Sequence, residues 1–187
     1  MKVSQQIVGV NQRLGNTAVP NMQGTTRMIF DSNAITSAAT DQTLTYFANV
    51  SAKVYPQTNI SSNRFEVGES LAIQGFSLFT YVTATPSLET VLAANLAFRA
   101  GILNFYIGNQ RVIKNLEIVS YSRIGLGEGI TIDTESPVFR LETPIVVPPQ
   151  IEYYATLQLC ANADYSGNTV VLTAFGTGTL LNTKSNY

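Results

Sequence analysis

The residue types that most often perform chemistry are sparse in this chain of 187 residues. The chain contains no histidine, which is the commonest general base, the commonest metal ligand and a member of the usual hydrolase triad. Chemistry based on carboxylates or lysine remains possible without histidine, whereas most metal-dependent and nucleophilic mechanisms do not. The composition therefore predicts a protein that is not an enzyme and that holds no metal or cofactor.

Two short patterns nevertheless invite a chemical interpretation. Asp133 and Glu135 would share one face of a strand, where paired carboxylates can bind calcium or transfer protons, but we favour an exposed strand face. Gly125, Gly127 and Gly129 form a G-x-G-x-G run. A phosphate cradle would need a helix after it, whereas the following ITIDTES is typical of a strand. We interpret the run as a flexible connection.

Targeting and modification signals are weak. Asn49 and Asn59 each begin an Asn-x-Ser glycosylation triplet, but the opening MKVSQQIVGVNQRLGN does not resemble a secretion signal, so we attribute both triplets to chance. Cys160 is the single cysteine and permits no intrachain disulfide, which is compatible with assembly in a reducing cytoplasm. No apolar run reaches 18 residues, and the sequence therefore predicts no membrane span.

Charge is unusually scarce. Charged residues make up 12% of the chain, about half of the usual fraction. The net charge of −1 gives no electrostatic reason to bind nucleic acid directly. Interface cores are depleted in charged residues, and charges normally protect exposed sheet edges. A β-rich chain with so few charges is therefore expected to bury its surfaces against partner proteins.

The elements that must carry these residues are mostly strands, because short apolar alternations recur between turn signals. The predicted strands lie within residues 43–55, 65–83, 102–107, 111–121, 131–147, 151–159 and 169–181. Gly108-Asn109 predicts a hairpin turn and Gly75 a β-bulge. Residues 85–96 predict one short helix in a connecting loop, with Pro86 in its first turn. These elements predict an all-β antiparallel sandwich or barrel.

The stretch PIVVPPQIEYYATLQL, residues 144–159, is the most informative of these strands. Neither Pro148 nor Pro149 can donate a ladder hydrogen bond, so the pair must separate two strands. In the second strand Tyr153 falls on an apolar face, which we assign to the core. Tyr154 falls on a polar face that is nearly uncharged, and we predict that it contacts a partner.

Three longer stretches carry a family resemblance: QTNISSNRFEVGESLAIQGFSLF, GILNFYIGNQRVIKNLEI and FRLETPIVVPPQIEYYATLQL. Their succession resembles the strand order of single jelly-roll structural proteins of bacterial viruses, which serve as penton, minor capsid or decoration subunits. The resemblance implies an antiparallel jelly-roll sandwich of about eight strands. Residues 1–64 would then be an N-terminal arm with the first strands of the same domain, and residues 65–187 the jelly-roll body. The resemblance assigns no functional residues to this chain, because capsid folds have no shared set of catalytic residues.

The sequence thus predicts a structural virion protein that oligomerises with other capsid subunits, assembled in the host cytoplasm. The interface candidates are Tyr154, Arg111 and Lys114, where the two basic residues could meet a partner's carboxylates. A solvated hairpin edge is the structural alternative for Arg111 and Lys114. The alternative function is a carbohydrate- or receptor-binding β-sandwich module of a fibre or spike.

Overall fold

The computed structural model describes residues 22–35, 43–82, 101–118, 138–159 and 168–181. Its eight strands are β1 Met22–Ala34, β2 Thr43–Tyr46, β3 Ser70–Val82, β4 Gly101–Ile107, β5 Gln110–Ile118, β6 Val138–Val147, β7 Tyr153–Gln158 and β8 Asn168–Leu181. Among these residues the one helical element is a 3-10 turn, Val50–Ala52. The predicted all-β class is confirmed, while the helix predicted at 85–96 lies outside the described residues. None of the described helical structure is long and apolar enough to cross a membrane.

The strands form two antiparallel four-stranded sheets, in the orders β1-β8-β3-β6 and β2-β7-β4-β5. Their inner faces meet: the ring centroids of Phe76 on β3 and Phe105 on β4 lie 5.6 Å apart. The Tyr46 hydroxyl donates a hydrogen bond across the interior to the carbonyl of Val170, at 3.3 Å. The arrangement is consistent with a β-sandwich whose core draws on both sheets.

Strand β3 contains the predicted bulge at Gly75. Its register against both β6 and β8 shifts between Ile73 and Gly75. The core side chains change parity there, from Leu71 and Ile73 before the bulge to Phe76 and Leu78 after it. A Cβ on Gly75 would collide with the Phe139 backbone and the Phe175 ring, so the site requires glycine.

Two regions of the predicted strand pattern need correction. The apolar pattern of residues 43–55 predicts one strand, but β2 ends at Tyr46 because Phe47 adopts a φ of 66°. Both Tyr46 and Phe47 consequently reach the core instead of opposite faces. The resemblance places the first strands within residues 1–64, but the residue pattern does not predict the 13-residue strand β1.

One end of the sandwich is tied together by its chain connections. We call residues 47–69, which link β2 to β3, the crossover segment. The Tyr153 N–H donates to the Asn63 carbonyl at 3.0 Å, and the Gln150 N–H donates to the Phe65 carbonyl at 2.9 Å. The Gly108 N–H of the β4–β5 turn donates to the Glu152 carbonyl at 2.7 Å. The crossover segment, the hairpin turn and the Pro148-Pro149 connection, which separates β6 from β7 as predicted, therefore form one hydrogen-bonded end.

Candidate interaction surface and end pocket

Two of the three predicted interface residues lie in one row across a sheet. Tyr106 on β4 is paired with Tyr154 on β7 and, on its other side, with Arg111 on β5. The two rings stack with centroids 4.5 Å apart and planes 5° from parallel. Both tyrosines are half-buried and Arg111 is exposed. We call Tyr154, Tyr106 and Arg111 the tyrosine row; it presents a stacked aromatic pair and one cation on the outer face of its sheet.

Within its own chain Tyr154 stacks on a neighbouring ring of the same sheet. The sequence offered no signal for this pairing, because cross-strand register depends on where β4 and β7 begin. The role of Tyr154 in a contact with another chain stays a prediction. Tyr153, by contrast, is fully buried within the chain as expected.

Lys114 lies on the same strand as Arg111, beyond the buried Ile113, and is exposed. Strand β5 is irregular: its pairing with β4 shifts register on both sides of Phe105. Asn115 has a φ of 52°, and its N–H donates to the Asn104 side chain at 2.9 Å. Bulges and exposed cations are two of the devices that discourage pairing at a free sheet edge.

An edge strand of the other sheet, β1, is contacted by the crossover segment. The Asn59 carboxamide accepts a hydrogen bond from the Phe30 N–H and donates one to the Met28 carbonyl, both at 2.8 Å. Thr58 donates to the Phe30 carbonyl at 2.8 Å. The Asn59 side chain therefore satisfies two backbone groups in the middle of β1, much as a neighbouring strand would there. This engagement agrees with our view that its glycosylation triplet arose by chance.

A buried ion pair fixes the same segment. Asp31 is fully buried on β1 and accepts hydrogen bonds from the Phe47 N–H and from the Lys53 ammonium, both at 2.7 Å. Lys53 also donates to the Ser32 carbonyl at 2.7 Å and to the Asn33 side chain at 3.2 Å. Burial raises the pKa of the nearby Tyr46 phenol well above its usual value, and the Asp31 carboxylate raises it further. This polar network joins the crossover segment to β1 from the core side.

A stack of side chains closes the hydrogen-bonded end. The Arg27 guanidinium lies 4.6 Å from the centroid of the Phe65 ring, which itself stacks on Tyr153 at 4.9 Å. Arg27 also pairs with Glu69 at 2.9 Å. The glycine at position 178 leaves room for the Arg27 side chain, because a Cβ on residue 178 would lie only 2.9 Å from the Cβ of Arg27. Burial raises the pKa of the Tyr153 phenol above its ordinary value, while the Arg27 charge opposes the rise.

Beside this stack lies a pocket of about 120 Å³, which we call the end pocket. Its walls include Arg27, Glu69 and Tyr153, and its rim comes from residues 59–66 of the crossover segment. The Tyr153 hydroxyl is buried and has no hydrogen-bond partner among the described residues. Sequence reasoning assigned Tyr153 to the core but missed the pocket, since nothing local to residues 59–66 indicates what they cover.

The remaining sequence patterns fall on residues that the structure does not describe. The glycine run at 125–129, Asp133, Glu135 and Cys160 lie outside the described residues. Across the described ranges, no three acidic or cysteine side chains come close enough to hold a metal ion. Comparison with protein-family models, with curated proteins and with solved structures found no match.

Proposed function

We propose that this protein is a jelly-roll structural subunit of a bacterial virus, and that it oligomerises within or on the capsid. The observation that carries the proposal is the strand pairing. β1 pairs with β8, β2 with β7, β3 with β6 and β4 with β5, so that each strand n lies beside strand 9−n.

This pairing is what a jelly roll requires. An antiparallel ribbon of strand pairs, folded so that successive pairs alternate between two sheets, gives two four-stranded layers. The pairing of β8 with β3, and of β7 with β4, then joins two strand pairs into one sheet in each layer. Jelly rolls of this kind serve in viral capsids, lectins and cupins. A cupin metal centre depends on histidine, which this chain lacks.

The low content of charged residues supports a role in assembly rather than in catalysis. Only 12% of the residues are charged, and the three ion pairs between described residues already engage six of them. The proposed partners are other capsid subunits, either copies of this chain or a major capsid protein. Contact through weakly charged sheet faces and loops is typical of stable protein interfaces.

The test is the mass of the purified protein in solution, measured by light scattering over a range of concentrations and combined with electron microscopy of any assemblies. We expect defined oligomers or shell fragments, and we expect mass spectrometry to find the chain in purified virus particles. A well-folded monomer that never associates, together with particles that lack the chain, would overturn the proposal.

A further inference from the structure

The polar network at β1 brings an amine, a carboxylate and a carboxamide together. The Lys53 Nζ lies 2.7 Å from Asp31 Oδ1 and 3.2 Å from Asn33 Oδ1. Asp31 and Asn33 are two residues apart on β1, so their side chains lie on the same face of the strand. Lys53 reaches them from the crossover segment, 20 residues after Asn33. A nucleophile, an acid and an acyl group are therefore in contact at one site.

Two of these three groups are oriented by the backbone. The Phe47 N–H donates to Asp31 Oδ2 at 2.7 Å, which leaves Oδ1 for the amine. The Asn33 Nδ2 donates to the Thr45 carbonyl at 2.9 Å, which turns the carboxamide oxygen, and with it the electrophilic carbon, toward Lys53. Groups that are held in contact in this way react much faster than the same groups free in solution.

The site is largely shielded from water. Asp31 is fully buried, the Lys53 side chain is 18% exposed, and the rings of Tyr46 and Phe47 are buried. A proton that passes along the 2.7 Å contact from the ammonium to the carboxylate leaves a neutral amine and a carboxylic acid. The neutral amine then has the free electron pair that a nucleophile needs. Its contact with the Ser32 carbonyl, at 2.7 Å, requires only an N–H and is kept.

We propose that Lys53 and Asn33 join in an intramolecular isopeptide bond, with Asp31 as the proton carrier. The Nζ electron pair forms a bond to Cγ of Asn33, and the Cγ–Nδ2 bond then breaks to release ammonia. Of the three ammonium protons, one stays on the new amide, one leaves with the ammonia and one remains on Asp31. The reaction needs no other reactant, and its product links β1 covalently to the crossover segment. The inference does not depend on the proposed function, because the bond forms within one chain.

The experiment is mass spectrometry of the full-length protein under denaturing conditions, followed by digestion with trypsin. We expect the intact mass to be lower than the sequence mass by one ammonia. Trypsin does not cleave after an acylated lysine, so residues 28–64 should appear as one peptide that lacks one ammonia, in place of the separate peptides 28–53 and 54–64. The linked fraction should grow with time in the folded protein and stay constant in urea, because only the fold brings the groups together.

Four variants assign the groups, each with circular dichroism to show that it folds. Lys53→Arg keeps a cation opposite Asp31 but removes the nucleophile, and Asn33→Ala removes the acyl group but keeps the ion pair. Both should have their full sequence mass. Asp31→Asn removes the proton carrier and should slow the loss of ammonia about tenfold or more. Lys114→Arg changes an exposed lysine on β5 and is the control that should still lose ammonia.

Several results would overturn the inference. A folded protein that keeps its full sequence mass after long incubation would leave Lys53 and Asp31 as an ion pair only. Loss of water in place of ammonia would place the bond on Asp31 instead of Asn33. Loss of ammonia with normal cleavage after Lys53 would indicate an asparagine that has cyclised on its own backbone. A loss that persists in Lys53→Arg, or that proceeds at an unchanged rate in Asp31→Asn, would remove those residues from the reaction.

Discussion

Two of the four edge strands, β1 and β5, belong to different sheets and are protected in different ways. At β1 the crossover segment lies against the strand: the Asn59 side chain hydrogen-bonds to the Phe30 N–H and the Met28 carbonyl, and Lys53 reaches the buried Asp31. At β5 the protection is local, from the bulges around Phe105 and from the exposed Arg111 and Lys114. One edge is closed by a distant part of the chain, and the other is only discouraged from pairing.

This difference bears on how subunits could meet. Because the backbone groups at the middle of β1 are already satisfied, a partner cannot add a strand beside β1 without displacing the crossover segment. The β5 edge carries cations and the end of the tyrosine row, so a partner could meet it through side chains. We therefore expect the closed edge to contribute mainly stability and the open edge mainly recognition.

The largest effect should come from breaking the buried ion pair at the closed edge. Lys53→Met leaves the Asp31 carboxylate buried without its cation, and we expect unfolding to become easier by about 3–5 kcal/mol. Arg64→Met breaks the exposed pair with Glu152 and should change stability by about 1 kcal/mol or less. Urea denaturation of both variants measures the contrast. Equal losses would show that Lys53 does not hold the closed edge.

The next largest effect should be a loss of folding stability at alkaline pH. Burial raises the pKa of Tyr46 and Tyr153 above 10.0, so the folded chain keeps protons that the unfolded chain releases. This stabilisation is complete below pH 10 and falls as the pH rises further, by about 1.4 kcal/mol per pH unit for each tyrosine.

Denaturation at a series of pH values above 10 tests this directly. Tyr46→Phe should remove the contribution of one tyrosine to the fall in the free energy of unfolding with pH. A pH-independent free energy of unfolding across that range would contradict the assignment of both phenols to the core.

A smaller effect is expected where Asn59 meets β1. Asn59→Ala removes two hydrogen bonds and should reduce stability by about 1–2 kcal/mol. It should also raise light scattering over time, because the backbone of β1 becomes available to another strand. Gln110→Ala, an exposed change at the start of β5, serves as the control and should alter neither quantity. An Asn59→Ala protein that behaves like the control would remove the crossover segment from edge protection.

The same contrast explains which parts of the fold could be predicted from the sequence. The open edge is encoded locally: Gly108-Asn109 indicates the turn, and the apolar alternation on either side places β4 and β5. The bulge at Gly75 and the buried face of β7 are likewise visible, because each depends on residues within one strand.

The closed edge is not encoded locally. β1 turns Asp31 inward, a charged residue that breaks the apolar alternation by which a strand is recognised. Its counter-ion, Lys53, lies 22 residues away in the sequence. The end pocket was missed for the same reason, since Arg27, Phe65 and Tyr153 meet only once both sheets have formed. Pairing between distant polar residues is the part of this structure that a periodicity argument cannot supply.

The smallest effect on folding, and the sharpest one on function, should come from the open edge. Replacing Arg111 and Lys114 together by alanine removes two exposed cations and should change the free energy of unfolding by no more than about 0.5 kcal/mol. If these residues meet a partner's carboxylates, association should weaken and become less sensitive to salt. If they only keep the edge from pairing, association should rise instead, because uncharged edges favour contact. Arg140→Ala removes an exposed arginine from β6, an edge strand of the other sheet, and is the comparison for loss of an edge charge elsewhere. The sign of the change in oligomer mass therefore decides between an interface and a guarded edge, and no change relative to Arg140→Ala would remove both residues from assembly.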